Sequence, residues 1–261
     1  MGIRRIAAGG AAVVAVAAAG AAAGYVLAVR PLWRTWGVDP AEGDLALPGD
    51  DLVPDALLSD TRGIDIAAPP EAVWPWLVQM GYGRAGWYSY DAMDMRGSSA
   101  DRIVPELQSL TAGDEVPTSP ASAFIARVVE PGRAVVMFVD DALVAEQASR
   151  SRASTEAGQP AESTPANLRA AGAMMSPMAD FAASWAFVLE ARDGGRSTRL
   201  LERVRVRMAA GKSGAIIQPA MGLGVFVMQR KQMLGIRDRA ERAQPGGTGA
   251  GGGEGAAAGT A

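Results

Sequence analysis

The spacing of apolar side chains along this chain changes character several times, and each change marks an element. Residues 62–67 alternate, with Ile64 and Ile66 on one side of Asp65, as an edge or half-buried strand does. A proline pair follows, and Pro70 suits a first helical turn, where its missing N–H costs nothing. Val73, Trp74, Leu77 and Val78 then fall on one helical face, with Pro75 near enough to the helix start to bend it rather than break it. Glycines at 81, 83 and 86 end that helix, and residues 88–95 read as a second short helix. Strand-like runs come at 115–118, 123–130 and 134–139, with Pro131 and Gly132 as a turn between the last two. A clear strand at 183–190, a hairpin turn at Asp193, Gly194 and Gly195, and a return strand at 198–207 follow. On that return strand Leu201, Val204 and Val206 alternate with Glu202, Arg203, Arg205 and Arg207, and the charged side reads as the solvated outside of a sheet.

Residues 213–243 read as one long closing helix that passes Pro219. Its second half is amphipathic and charged; its first half, AIIQPAMGLGVFVM, is apolar on nearly all sides. At about fifteen residues that half is too short to span a bilayer, and a helix apolar all round needs cover on every side. Strands closed by a terminal helix argue an α+β fold with the antiparallel sheet curling around the helix.

Three stretches break the pattern. Residues 6–29 are an uncharged run of small and aliphatic residues between Arg4, Arg5 and Arg30, Arg34. As a helix rising about 1.5 Å per residue it reaches across a hydrocarbon layer of about 30 Å, so residues 1–30 are expected to be a single-pass transmembrane anchor; a cleaved secretory signal is the competing reading. The flanking arginines balance, which leaves the side of the membrane open. Residues 31–60 begin with Trp33 and Trp36, placed as interfacial anchors often are, and continue as an acidic linker docking locally onto a domain spanning 61–243. Residues 142–178 are polar and rich in Ser, Ala and Pro, and read as a mobile insertion. Residues 244–261 are a Gly/Ala tail of low complexity.

Composition narrows the chemistry. The 261 residues contain no cysteine and no histidine, which excludes thiol nucleophiles, zinc–thiolate sites, Ser–His triads and histidine-bound metals. Neither a metal nor another cofactor is expected. A net charge of −3 without a basic stripe gives no reason to expect a nucleic-acid partner. Gly81, Gly83 and Gly86 match GxGxxG literally, but the match follows a helix instead of a strand, so it fails as a dinucleotide fingerprint.

In a chain that is 6% aromatic, Trp74, Trp76, Trp87, Tyr88 and Tyr90 crowd together, as a core corner or the wall of a ligand cavity. Trp185, Phe187, Met221, Phe226 and Met228 are further wall candidates of the adaptable, apolar kind. A filled core is the plainer reading of these residues alone. Tyr88, Tyr90, Asp91, Asp94, Asp101, Arg102 and Glu106 form the densest polar group. Asp91 could act as a general base, with Arg102 steadying an enolate and Tyr88 orienting a carbonyl. Asp101 and Arg102 can equally clamp a loop by ion pairing and backbone hydrogen bonds, which is the preferred reading.

The words APPEAVWPWLVQMG, GWYSYD, SADRIVPEL, SWAFVLE and RKQMLGIRDRAE, in this order over about residues 61–243, resemble the START-like helix-grip superfamily. Within it the chain is most similar to bacterial SRPBCC proteins of the polyketide cyclase/dehydrase and lipid-transport kind. The resemblance implies a curved sheet gripping the C-terminal helix around a deep apolar cavity, with the two short helices plugging one end. It departs from the family pattern in its longer insertion and its lack of histidine. The expected function is binding of an apolar small molecule or lipid without chemistry, by a membrane-tethered domain. Its site would draw on Trp74, Trp87, Tyr88, Tyr90, Asp91, Arg102, Trp185, Phe187, Met221, Phe226 and Met228. A cyclase/aromatase-like enzyme using Asp91, Tyr88 and Arg102 is the first alternative. The second is a structural or partner-binding membrane protein whose last helix is exposed.

Overall fold

A computed structural model describes residues 24, 30–94, 97–156, 180–208 and 212–244. The expected anchor run 6–29, the tail from 245 onward and residues 157–178 of the expected insertion lie almost wholly outside that set. Among the described residues, no helix is long and apolar enough to cross a membrane.

Two short helices, α1 (Arg30–Arg34) and α2 (Pro40–Asp44), precede the sheet. A capping box builds α2: the Asp39 carboxylate accepts from the Glu42 N–H, and Glu42 accepts from the Asp39 N–H. The sheet comprises β1 (Leu58–Ile66), β2 (Glu115–Ser119), β3 (Ser122–Glu130), β4 (Ala134–Asp140), β5 (Ala182–Arg192) and β6 (Ser197–Arg207). All pairings are antiparallel, in the order β1-β6-β5-β4-β3-β2, and the sheet is curved. Helix α3 (Pro70–Val78) follows β1, and the single turn α4 (Asp91–Asp94) comes after it. Helix α5 (Asp141–Glu156) follows β4, and α6 (Lys212–Arg242) closes the chain, packing against α3 and β1. The α+β architecture is thus the expected one.

The period of two sorts the strands into two faces. Ile64, Ile66, Leu200, Phe187, Leu189, Val135 and Met137 turn inward, against Val73, Trp76 and Leu77 of α3 and Met233, Ile236 and Ala240 of α6. On α3, Trp76 is the buried tryptophan, and Trp74 sits half-buried beside the core. Gly235 lets α6 close on this layer: a Cβ there would lie 2.3 Å from the Tyr88 carbonyl oxygen.

The outer face departs from expectation. Glu202, read as solvated, turns to the inner face and is fully buried; on the outer face Arg203, also read as solvated, is 3% exposed and Arg199 is 8% exposed. Residues 37–54 lie over them and supply the acceptors. Arg203 donates to the carbonyls of Gly43 and Leu45, to Asp50 and to Thr61, while Arg199 pairs with Glu42. Apolar pegs complete this docking, with Leu47 against Leu201 and Val188, and Val53 against Phe138. Arginine suits such a seam, because its fixed fork satisfies several backbone carbonyls at once.

Two more elements differ in extent. The second short helix begins at Asp91 instead of residue 88, because Tyr88 has φ +58°, a left-handed conformation that a helix cannot include. Where the apolar pattern dissolves after Asp140, α5 forms. The Asp140 carboxylate caps it through the Leu143 N–H. Leu143 and Val144 pack on Val139, Phe181 and Ala183, and the buried Gln147 amide brackets both backbone groups of Ala123.

Candidate ligand-binding site

One row of the inner face carries charge. Arg62 on β1 stands opposite Glu202 on β6, and Glu202 stands opposite Phe187 on β5, with Trp185 two residues along. Arg62 is 1% exposed and Glu202 is fully buried. The Arg62 guanidinium is fully engaged. It donates to the Trp33 carbonyl (3.0 Å), to Gln229 Oε1 on α6 (2.5 Å) and to Asp60 (3.2 Å), and it lies 5.5 Å from the centre of the Phe226 ring.

Glu202 is less well served. Trp185 Nε1 donates to its Oε1 at 2.6 Å, while Oε2 meets no donor in hydrogen-bond geometry, although the Gln229 amide is near enough to lower the carboxyl's pKa. Burial pushes the carboxyl up to about 7, against the opposing pull of the Arg62 charge and smaller help from Trp185 and Gln229. A buried oxygen without a partner is costly, and most native structures give such an atom one.

Beside this corner four aromatic rings of the core pack together. Trp87 stacks on Trp185 with ring centres 5.4 Å apart, Phe124 meets Trp185 edge-on at 5.9 Å, and Phe187 is tilted at 5.2 Å. Trp185 thus joins the two halves of the site, presenting its ring to the other three and its N–H to the carboxyl.

The rest of the sequence-derived group is placed elsewhere. Tyr88 is buried one layer away, between Trp76 (5.9 Å, edge-on) and the Arg239 guanidinium (4.7 Å). Its hydroxyl accepts from Gln79, and burial raises its pKa well above the usual phenol value despite Gln79 and Arg239. It therefore stays neutral as a packing group. Asp91 is spent on Ser99, accepting from its N–H (2.9 Å) and its hydroxyl (2.5 Å). The side chains of Arg102 and Tyr90 are exposed, and Arg102 contributes its backbone carbonyl to Gln79. Asp91, Tyr88 and Arg102 therefore do not converge on one reacting position. Asp91 clamps the loop through Ser99, whereas Asp101 and Arg102, the clamp expected from sequence, are exposed. Phe226 sits between Trp33 and Trp36, and Met228 is half-buried, its carbonyl accepting from Ser89. The side chains of Met221 and Asp94 lie outside the described set.

Arg62, Glu202 and Gln229 are the site residues that sequence reasoning missed. The signal was parity: Glu202 shares its face with Leu200 and Val204, and Arg62 shares its face with Ile64 and Ile66. Among the described residues no cluster of acidic side chains is arranged to hold a metal ion.

No family model matches this chain, and no curated protein matches it. Solved structures give weak likenesses. A Mesorhizobium loti protein is 11% identical, with a TM-score of 0.37, covering 72% of this chain and 100% of its own. An Arthrobacter aurescens protein is 12% identical at 0.34, covering 70% and 86%. A Mycobacterium smegmatis protein is 12% identical at 0.34, covering 69% and 88%. At such values these likenesses bear on neither fold nor function, and the site rests on its own geometry.

Proposed function

We propose that this protein is a membrane-tethered helix-grip binder that holds an apolar small molecule or lipid between the sheet and α6 and leaves it chemically unchanged. The observation that carries the reading is the unpartnered Glu202 Oε2, fully buried beside a cluster of aromatic rings. A ligand with one hydroxyl would give that oxygen its missing hydrogen bond, while its apolar body lies along Trp87, Trp185, Phe124 and Phe187. The uncharged run 6–29 supplies the tether. No cofactor is called for. Native mass spectrometry of the detergent-extracted full chain tests the reading. A co-purifying apolar molecule that is retained by the wild type and depleted in Glu202→Gln is expected; ligand-free protein from several membrane extracts would overturn it.

A second reading is supported by one observation. A carboxyl whose pKa is raised to about 7 is poised for proton transfer at neutral pH, as an enzyme acting on an apolar substrate requires. This moves the base from Asp91 to Glu202. Turnover of the co-purified molecule that is lost in Glu202→Gln while its binding persists would favour catalysis over carriage.

A further inference from the structure

We infer that the first half of α6 is a second membrane contact, inserted into one leaflet of a lipid bilayer beside the N-terminal run; this rests on the membrane-tethered reading above. Residues 213–229 carry no charge, and Lys212 and Arg230 bound them. As helix they extend about 25 Å, less than the hydrocarbon thickness of about 30 Å, so they can enter a membrane without crossing it.

One side of this stretch packs on Trp33 and Trp36 through Gly222 and Phe226, and Gln229 is buried, while the rest of its described apolar side chains lie open or half-open. Leu223, Val225 and Val227 are 43%, 43% and 45% exposed, and Leu32 on α1 is exposed as well. Leu223 and Val227 are one turn apart on the same side, whereas Val225 points about 200° round the helix from Leu223. A protein partner covers one side of a helix and would leave the other wet. An apolar medium covers at once all the sides that Trp33 and Trp36 leave open, and that is what a helix apolar all round requires.

Position agrees with this. Trp33 on α1 lies against α6 at Gly222, where a Cβ would come 2.4 Å from its ring. Phe226 holds Trp33 and Trp36 together on the same side. The uncharged run 6–29 ends at the residue before α1, so in sequence it leads directly into the helix that packs on α6. Where the apolar stretch of α6 stops, Arg230 and Lys231 are exposed, and the Arg230 guanidinium lies 5.1 Å from the centre of the Trp36 ring. A cation stacked on tryptophan at the edge of an apolar segment is the arrangement that headgroup level favours. Gln229 comes directly before these cations and reaches Arg62, so the polar corner of the proposed site lies just below the membrane surface.

The absence of cysteine makes a direct test simple. Single variants Leu223→Cys, Val225→Cys and Val227→Cys of the full chain carry an environment-sensitive fluorophore in phosphatidylcholine/phosphatidylglycerol vesicles. Ala21→Cys reports the tether, and Ser109→Cys, at an exposed loop position, reports water. Labels at 223, 225 and 227 are expected to be quenched several-fold more by doxyl lipids than by aqueous iodide, with the reverse at 109. Iodide quenching at 223, 225 and 227 with lipid quenching at 21 would overturn the inference and leave the tether standing. Lipid quenching at the three α6 positions with iodide quenching at 21 would uphold the second contact and remove the tether. Protection from both quenchers would mean a protein cover, such as a second copy, and would also overturn it.

Discussion

Replacing Glu202 by Gln should change how stability depends on pH, in a direction opposite to that of an ordinary paired carboxylate. Burial raises the folded-state pKa of Glu202 to about 7 from a usual 4.5. Between those values the folded chain binds more protons than the unfolded chain, so stability falls as pH rises. The contribution is fully present below about pH 4.5, declines through the window and is level above about pH 7. A rise from 4.5 to about 7 in a fully buried carboxyl corresponds to about 3 kcal/mol. Gln keeps an acceptor for the Trp185 indole and carries no charge to desolvate, so the variant lacks this decline. Glu42 and Asp114, whose pKa values are lowered by their hydrogen bonds, give slopes of the other sign, but they are common to both proteins and drop out of the difference. Urea denaturation of both full chains in the same detergent, from pH 4.5 to 8, reads the effect. The variant should gain about 3 kcal/mol on the wild type across that range, or about 6–12 °C in Tm for a domain of this size. Parallel stability curves would refute the assignment of a buried, proton-binding Glu202.

Other substitutions separate architecture from site. Gly235→Ala drives a Cβ into the Tyr88 carbonyl and should cost about 1–3 kcal/mol, measured by thermal denaturation. Arg203→Leu removes the fork that pins residues 43–50 to the sheet and should cost about 3 kcal/mol, with protease cleavage appearing in 37–56. Asp91→Ala should lower stability by about 1–2 kcal/mol through loss of the Ser99 clamp and leave ligand retention in native mass spectra intact. Arg102→Ala should alter neither, since its side chain is exposed.

The parts of the fold that were legible in the sequence are those where local pattern and tertiary need agree. Period-two alternation and turn residues located β1, the β3–β4 turn and the β5–β6 hairpin, and the long apolar-then-charged run located α6. Helix α5 was invisible because its anchoring is tertiary: one Asp cap, two apolar side chains and the Gln147 amide hold an otherwise polar segment in place. The outer arginines were misread for a related reason. A strand face carrying Arg203 and Arg205 resembles a solvated one unless the carbonyls of residues 43–54 are known to arrive on top of it. Of the clustered aromatic rings, Trp87, Trp185 and Phe187 were singled out from sequence by type and Phe124 was not, while Glu202 was passed over. Glu202 shares its face with Leu200 and Val204, yet it was counted with Arg203, Arg205 and Arg207 on the charged side, and the register with Arg62 and Phe187 shows that it turns inward. Dense polar residues at 88–106 attracted attention that belonged to one isolated carboxylate and its arginine neighbour.

The indole N–H signal of Trp185 tests the proposed site most directly, because that group touches Glu202 and forms part of the aromatic cluster. The nitrogen–proton spectrum of the full chain in lipid nanodiscs, assigned with Trp185→Phe, can be followed while a long-chain alcohol is added, with an alkane of equal length as control. A saturable shift of the Trp185 indole with the alcohol, weakened in Glu202→Gln and small with the alkane, is the expected result. An indole signal that stays fixed through both titrations would contradict binding at the Glu202 corner.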